Sequence, residues 1–124
     1  WVDSNVTEAN FPKYEEERGK KEILVKLFHF KSRFIESKAV IEKMAKEQYD
    51  PASPLELLAF SIAYPKIKME SIIALKRIWT NSSGNRQVLE LWLSQSERRN
   101  LGITSFDDGW SQIFAYQFLG TKRE

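Results

Sequence analysis

Apolar side chains recur every three or four positions through most of this chain, and that spacing constrains its fold more than any other feature. Ile23, Leu27, Phe30, Phe34, Ile41 and Met44 follow one another at steps of four, three, four, seven and three. Leu24, Phe28 and Ile35 widen the stripe. Such a stripe covers one side of a 3.6-period helix and predicts a helix from about Glu15 to Tyr49. Gly19 weakens its first turns, which moves the expected start towards Lys20.

Asp50-Pro51-Ala52-Ser53-Pro54 breaks the pattern. Ser53 suits an N-cap, Pro54 the first helical position, and Glu56 stands three residues on, a capping box opening a helix from Leu55 to about Ala63. Tyr64-Pro65 ends it, because the residue before proline avoids helical backbone. Met69, Ile72, Ile73, Leu75 and Trp79 predict a third helix from Lys66 to Thr80. Asn81 to Asn85 reads as a loop. Val88, Leu89, Leu91, Trp92 and Leu93 predict a fourth helix from Arg86 to about Arg98. Asn100 to Thr104 forms a second loop. Ser105, with Asp108 three residues on, caps a last helix carrying Phe106, Trp110, Ile113, Phe114 and Phe118, with Gly120 as its terminator. The expectation is an all-α, compact antiparallel bundle of about five helices.

The chain has 124 residues, which suggests one domain, and 42 % hydrophobic residues, enough for a core without cross-links. No apolar run approaches the roughly 20 residues that span a bilayer. There is no cysteine, which removes disulfides, thiol nucleophiles and zinc–thiolate sites. Nineteen basic residues stand against 17 acidic ones, a balance that argues little about partners, although nucleic-acid binders usually show a clearer basic excess on one face. Lys66, Lys68, Lys76, Arg77 and Arg86 are the residues that would carry such binding.

No set of residues announces chemistry. His29 is the sole histidine, with no nominated nucleophile or orienting partner, and reads as structural. Ser82-Ser83-Gly84-Asn85 lacks the lysine and strand of a phosphate loop. Asn5-Val6-Thr7 and Asn81-Ser82-Ser83 match the glycosylation sequon and hint at a secretory history. No metal site, cofactor site or catalytic residue is assigned. Trp79, Trp92, Trp110, Phe114 and Tyr116 are the aromatics expected to pack the core or to anchor a partner.

Residues 1–18 read as an irregular, flexible, acidic lead-in, and 19–124 as a single helical interaction domain. The lead-in ends in Glu16-Glu17-Arg18, which resembles the EER element of oomycete RXLR effectors. Trp1 in place of an initiating Met fits a missing upstream segment. The turn Ser53-Pro54-Leu55-Glu56-Leu57-Leu58 also resembles the turn of a WY-type helical module. It departs from the module in holding Met44 or Ala45 at the Trp position and Trp79 at the Tyr position. The resemblance implies a WY-like helical fold and a non-enzymatic protein. Such a protein is secreted by a plant pathogen and acts in the host cytoplasm or nucleus. It binds a host protein or meets a plant immune receptor, and so modulates immunity. The alternatives are a small helical microbial regulator or immunity-type inhibitor, then a nucleic-acid-binding domain, then an enzyme.

Overall fold

The computed structural model describes residues 2–7, 9–11, 24–31, 33–65, 71–93, 98–111 and 116–123. It overturns the all-α bundle. The elements run β1 (Val25–Phe28), β2 (Phe34–Ile35), α1 (Ser37–Lys46), β3 (Tyr49–Pro51), α2 (Pro54–Ala63), β4 (Ser71–Thr80), β5 (Arg86–Leu93), β6 (Arg99–Ser105), β7 (Trp110–Ser111) and β8 (Tyr116–Lys122). Two helices therefore stand among the described residues, on a mixed sheet in the order β1-β8-β4-β5-β6, with β3 beside β8. β4 and β8 run parallel; the other pairs are antiparallel. β2 and β7 form a separate two-stranded ribbon.

The physical reason lies in a sheet covered on both faces. Strands buried on both sides read as continuous apolar runs, and such runs satisfy helical spacing as easily as strand alternation. Ile72, Ile73, Ala74 and Leu75 are all buried, yet they divide between two cores. Ile72 and Ala74 join Leu57, Phe60 and Leu89 under α2, while Ile73 and Leu75 join Val40, Met44 and Val88 under α1. β-Branched Ile72, Ile73, Ile78 and Thr80 further favour extended backbone. The segments expected as the first, third, fourth and fifth helices hold β1, β2 and α1, then β4, then β5, then β7 and β8. The expected loop from Asn100 to Thr104 lies in β6. The WY-type arrangement falls with the bundle, since Trp79 stands on a strand.

Local signals survive. Ser53 Oγ accepts from the Glu56 amide at 3.1 Å, and Glu56 Oε1 accepts from the Ser53 amide at 2.9 Å, closing the capping box of α2. Both side chains are buried. Ser53→Ala is expected to cost about 1–2 kcal/mol, at the upper end for a cap, because the bonded groups lose access to water as well as to each other. Urea unfolding followed by circular dichroism measures it; a change below about 0.5 kcal/mol would contradict a structural role. The loop from Asn81 to Asn85 joins β4 to β5. There the Asn81 carboxamide oxygen accepts from the amides of Ser83 and Asn85, both at 3.0 Å, and Gly84 takes a positive φ of 82°.

The β4–β5 register shifts between Ala74 and Trp79, so that Leu75 to Ile78 stand opposite Val88 alone. This bulge bends β4. The Lys76 amide, released from the ladder, donates to the Ala52 carbonyl at 3.0 Å. The opening residues also contribute: Phe11 is 2 % exposed and meets Trp79 edge-on at 6.4 Å.

Candidate functional site

Two places in the fold gather groups that could meet a ligand, one on each face of the sheet. On the α2 face a cavity of about 300 Å³ lies between the opening segment, the first turns of α2 and the outer strands. Val2, Val6, Phe11, Leu58, Leu89 and Leu101 are among its lining residues, and Thr7 brings the one hydroxyl. The volume is at the lower end of the range for ligand pockets, and the lining is almost wholly apolar. The cavity exists because β6 is an edge strand that the opening segment covers only briefly. Val2 makes a single parallel bridge to Leu101, and the Asp3 amide donates to the Leu101 carbonyl at 2.8 Å. The chain then turns away, with the Val6 amide donating back to the Asp3 carbonyl at 3.0 Å. Arg99 ties the same strand to α2, donating to the Ser61 carbonyl at 2.7 Å and to Tyr64 at the helix C-terminus.

On the α1 face the register sets Asn100, Trp92, Ser71 and Tyr116 side by side across four strands, with Gly102, Glu90, Ile73 and Phe118 in the next row. Ser71 and Asn100 are buried; Trp92, Glu90 and Tyr116 are half-buried. The Ser71 hydroxyl donates to Glu90 Oε2 at 2.5 Å. Burial pushes the Glu90 carboxyl above its usual range, and the Ser71 bond offsets part of that. The Tyr116 phenol is likewise raised, first by burial and then by the Glu90 charge. Because the folded-state value of Glu90 is raised, its neutral form favours folding at low pH, and that contribution is lost as pH climbs through the raised value.

Behind the row, Trp110 is 2 % exposed. Its indole Nε1 donates to Ser37 Oγ at 2.9 Å, and Ser37 Oγ donates to the Phe106 carbonyl at 2.7 Å. Trp110 meets Tyr116 edge-on at 4.9 Å and Phe118 at 5.3 Å. A narrow cleft of about 10 Å³ beside Tyr116, Trp110 and His29 has room for about one water molecule.

The aromatics singled out from the sequence thus separate. Trp92, Trp110 and Tyr116 share the α1 face, and Trp79 packs on Phe11 across the sheet. Phe114 and the Glu16-Glu17-Arg18 element lie outside the described residues, as do Lys66 and Lys68. Arg86 forms a forked pair with Asp107; the arginine lowers the Asp107 carboxyl. His29 is exposed, its Nδ1 lying 3.2 Å from the Tyr116 carbonyl oxygen. Sequence reasoning missed Ser71, Glu90 and Asn100, and also Phe11 and Leu101. For Glu90 a signal was present, one acid inside the apolar run Val88 to Leu93. Among the described residues no group of three or more acidic or histidine side chains could hold a metal ion, and no helix is long and apolar enough to cross a membrane.

No protein-family model, curated protein or solved structure matches this chain.

Proposed function

We propose that this chain is a non-enzymatic protein-binding module. It takes an extended apolar segment of a partner along the outer edge of β6, with one apolar side chain seated in the neighbouring cavity. The observation that carries the reading is the half-used edge. Strand alternation turns the backbone groups of Leu101, Ile103 and Ser105 away from β5, because the Leu101 carbonyl already accepts from Asp3 outside the ladder. After Asp3 the chain leaves the edge. Among the described residues, nothing bonds the outward groups of Ile103. An open edge is a template for an added strand, and the alternate side chains of that strand supply specificity. Leu101 and Ile103 pack on the cavity side of the sheet, so the added strand would lie against the cavity mouth.

A peptide library selected on the immobilised protein should return extended apolar sequences. Ile103→Pro, which removes an edge N–H where proline is tolerated, should weaken the selected peptides about tenfold. Leu58→Trp should weaken them similarly by filling the cavity. Equal affinity for all three proteins, with folding intact, would refute the reading.

The more specific form is a secreted plant-pathogen effector acting on a host protein inside the plant cell. Its support is Glu16-Glu17-Arg18 alone, now that the helical-module likeness is removed. A secretion signal and RXLR element encoded upstream of Trp1 would support it, and a non-pathogen source would end it.

A further inference from the structure

We infer that the partner side chain seated in the α2-face cavity is tryptophan, a neutral two-ring aromatic whose indole N–H meets the Thr7 hydroxyl. This rests on the strand pairing proposed above for the β6 edge and names the residue that anchors that strand.

An apolar cavity of about 150 Å³ holds one benzene ring. This one measures about 300 Å³. A phenyl or a branched aliphatic side chain would leave part of it empty and lose contacts there. Tryptophan carries the largest apolar body of the natural side chains. Among the described residues that line the cavity none is charged, so a charged group would go unpaired inside it. Thr7 brings a hydroxyl. Its Oγ1 accepts from the Asn10 amide at 3.2 Å, and its second lone pair can accept from an indole N–H. A buried indole N–H needs such a partner.

The cavity stands open before a ligand arrives, because its walls are held separately. Phe11, Pro54 and Leu89 are buried and give it a fixed floor. The opening segment is tied at both ends, by the Val2 bridge to Leu101 and by Phe11 against Trp79. In between, the Asn10 carboxamide donates to the Asn5 carbonyl at 2.8 Å, and the Phe11 amide to the Thr7 carbonyl at 2.9 Å. The Ser53–Glu56 capping box holds the facing turn of α2. Walls fixed in this way spare a ligand the cost of ordering them. Leu101 lines the cavity from β6 itself, which puts the anchor within reach of a strand paired on that edge. A tryptophan enclosed at the centre of an interface is among the strongest anchors proteins use.

The test uses the full chain with free 3-methylindole, toluene and indole-3-acetate. The methyl NMR signals of Val6, Leu58, Leu89 and Leu101 report binding, since an aromatic ring shifts them. 3-Methylindole should bind at least about tenfold more tightly than either of the others. 3-Methylbenzothiophene has the same shape and no N–H. The affinity of 3-methylindole relative to it should fall about threefold in Thr7→Val and hold in Thr7→Ser. The ratio cancels any general loosening that Thr7→Val causes. Peptides that pair with β6 should bind about tenfold more tightly with tryptophan than with leucine at the seated position. Absence of 3-methylindole binding, equal binding of toluene, an unchanged ratio in Thr7→Val, or peptides indifferent to tryptophan would overturn the inference. The last of these would leave strand pairing on β6 standing. Binding of 3-methylindole with no peptide binding at all would instead refute the strand on β6 and keep the cavity's preference for two fused rings.

Discussion

Replacing Phe118 with alanine is expected to lower the unfolding free energy by about 3–5 kcal/mol. Phe118 is 1 % exposed and sits at the centre of the α1-side core. Its ring meets Trp110 at 5.3 Å and Phe30 at 6.0 Å, and its backbone lies between Phe28 on β1 and Ile73 on β4. Those neighbours belong to β1, the segment just after it, β4 and the β2–β7 ribbon, so they cannot close together over the void without moving the sheet. A domain of this size has about 5–15 kcal/mol in total, so the variant is expected to sit near the edge of folding at 37 °C. Urea unfolding read by tryptophan fluorescence measures the loss, and Ile62→Ala, at a position 80 % exposed, is the matched control. A loss below about 1.5 kcal/mol at Phe118 would mean that the two-faced core is wrongly drawn.

Ser37→Ala is the second variant with a large expected effect, about 1–3 kcal/mol from a single oxygen atom. Ser37 is 3 % exposed and both accepts from the Trp110 indole and donates to the Phe106 carbonyl. Alanine would leave a buried N–H and a carbonyl facing no partner. The indole ¹⁵N–¹H resonance of Trp110 should shift, and its exchange with water should quicken. A double-mutant cycle separates this from simple packing. With Trp110→Phe already in place, Ser37→Ala should cost visibly less, because the indole donor is gone. Strictly additive losses would show that the relay carries no energy.

How much of this was legible beforehand depended on the range of the interactions. The capping box at Ser53 and Glu56 and the turn at Asn81 to Asn85 are closed by residues two to four apart, and the local chemistry names them. Ile41 and Met44 do belong to a helix, though one confined to Ser37–Lys46. The strands were illegible for one reason: Ile72 to Leu75 and Val88 to Trp92 put apolar groups on both sides. Alternation, the signal of a one-sided strand, was absent, and spacings of three and four appeared by default. Phe11 is a single anchor in a polar stretch, which no period can reveal. Trp92, Trp110 and Tyr116 were recognisable as unusual residues, but their sharing one face of the sheet with Glu90 is set by the register of β4, β5 and β8 and by the ribbon that delivers Trp110. Register is a tertiary property.

The position of β8 has a consequence for how the molecule comes into being. It follows every other strand in the chain, yet it is flanked by β1 on one side and by β4 and then β3 on the other. While the polypeptide emerges from a ribosome, the β4–β5–β6 meander can assemble by itself, but β1 and β3 have nothing to pair with until Tyr116 to Lys122 arrive. Closing those distant contacts should make completion slow relative to a helical protein of equal length. Until then the apolar flank of β4 stands uncovered, which marks the nascent chain as a client for chaperones.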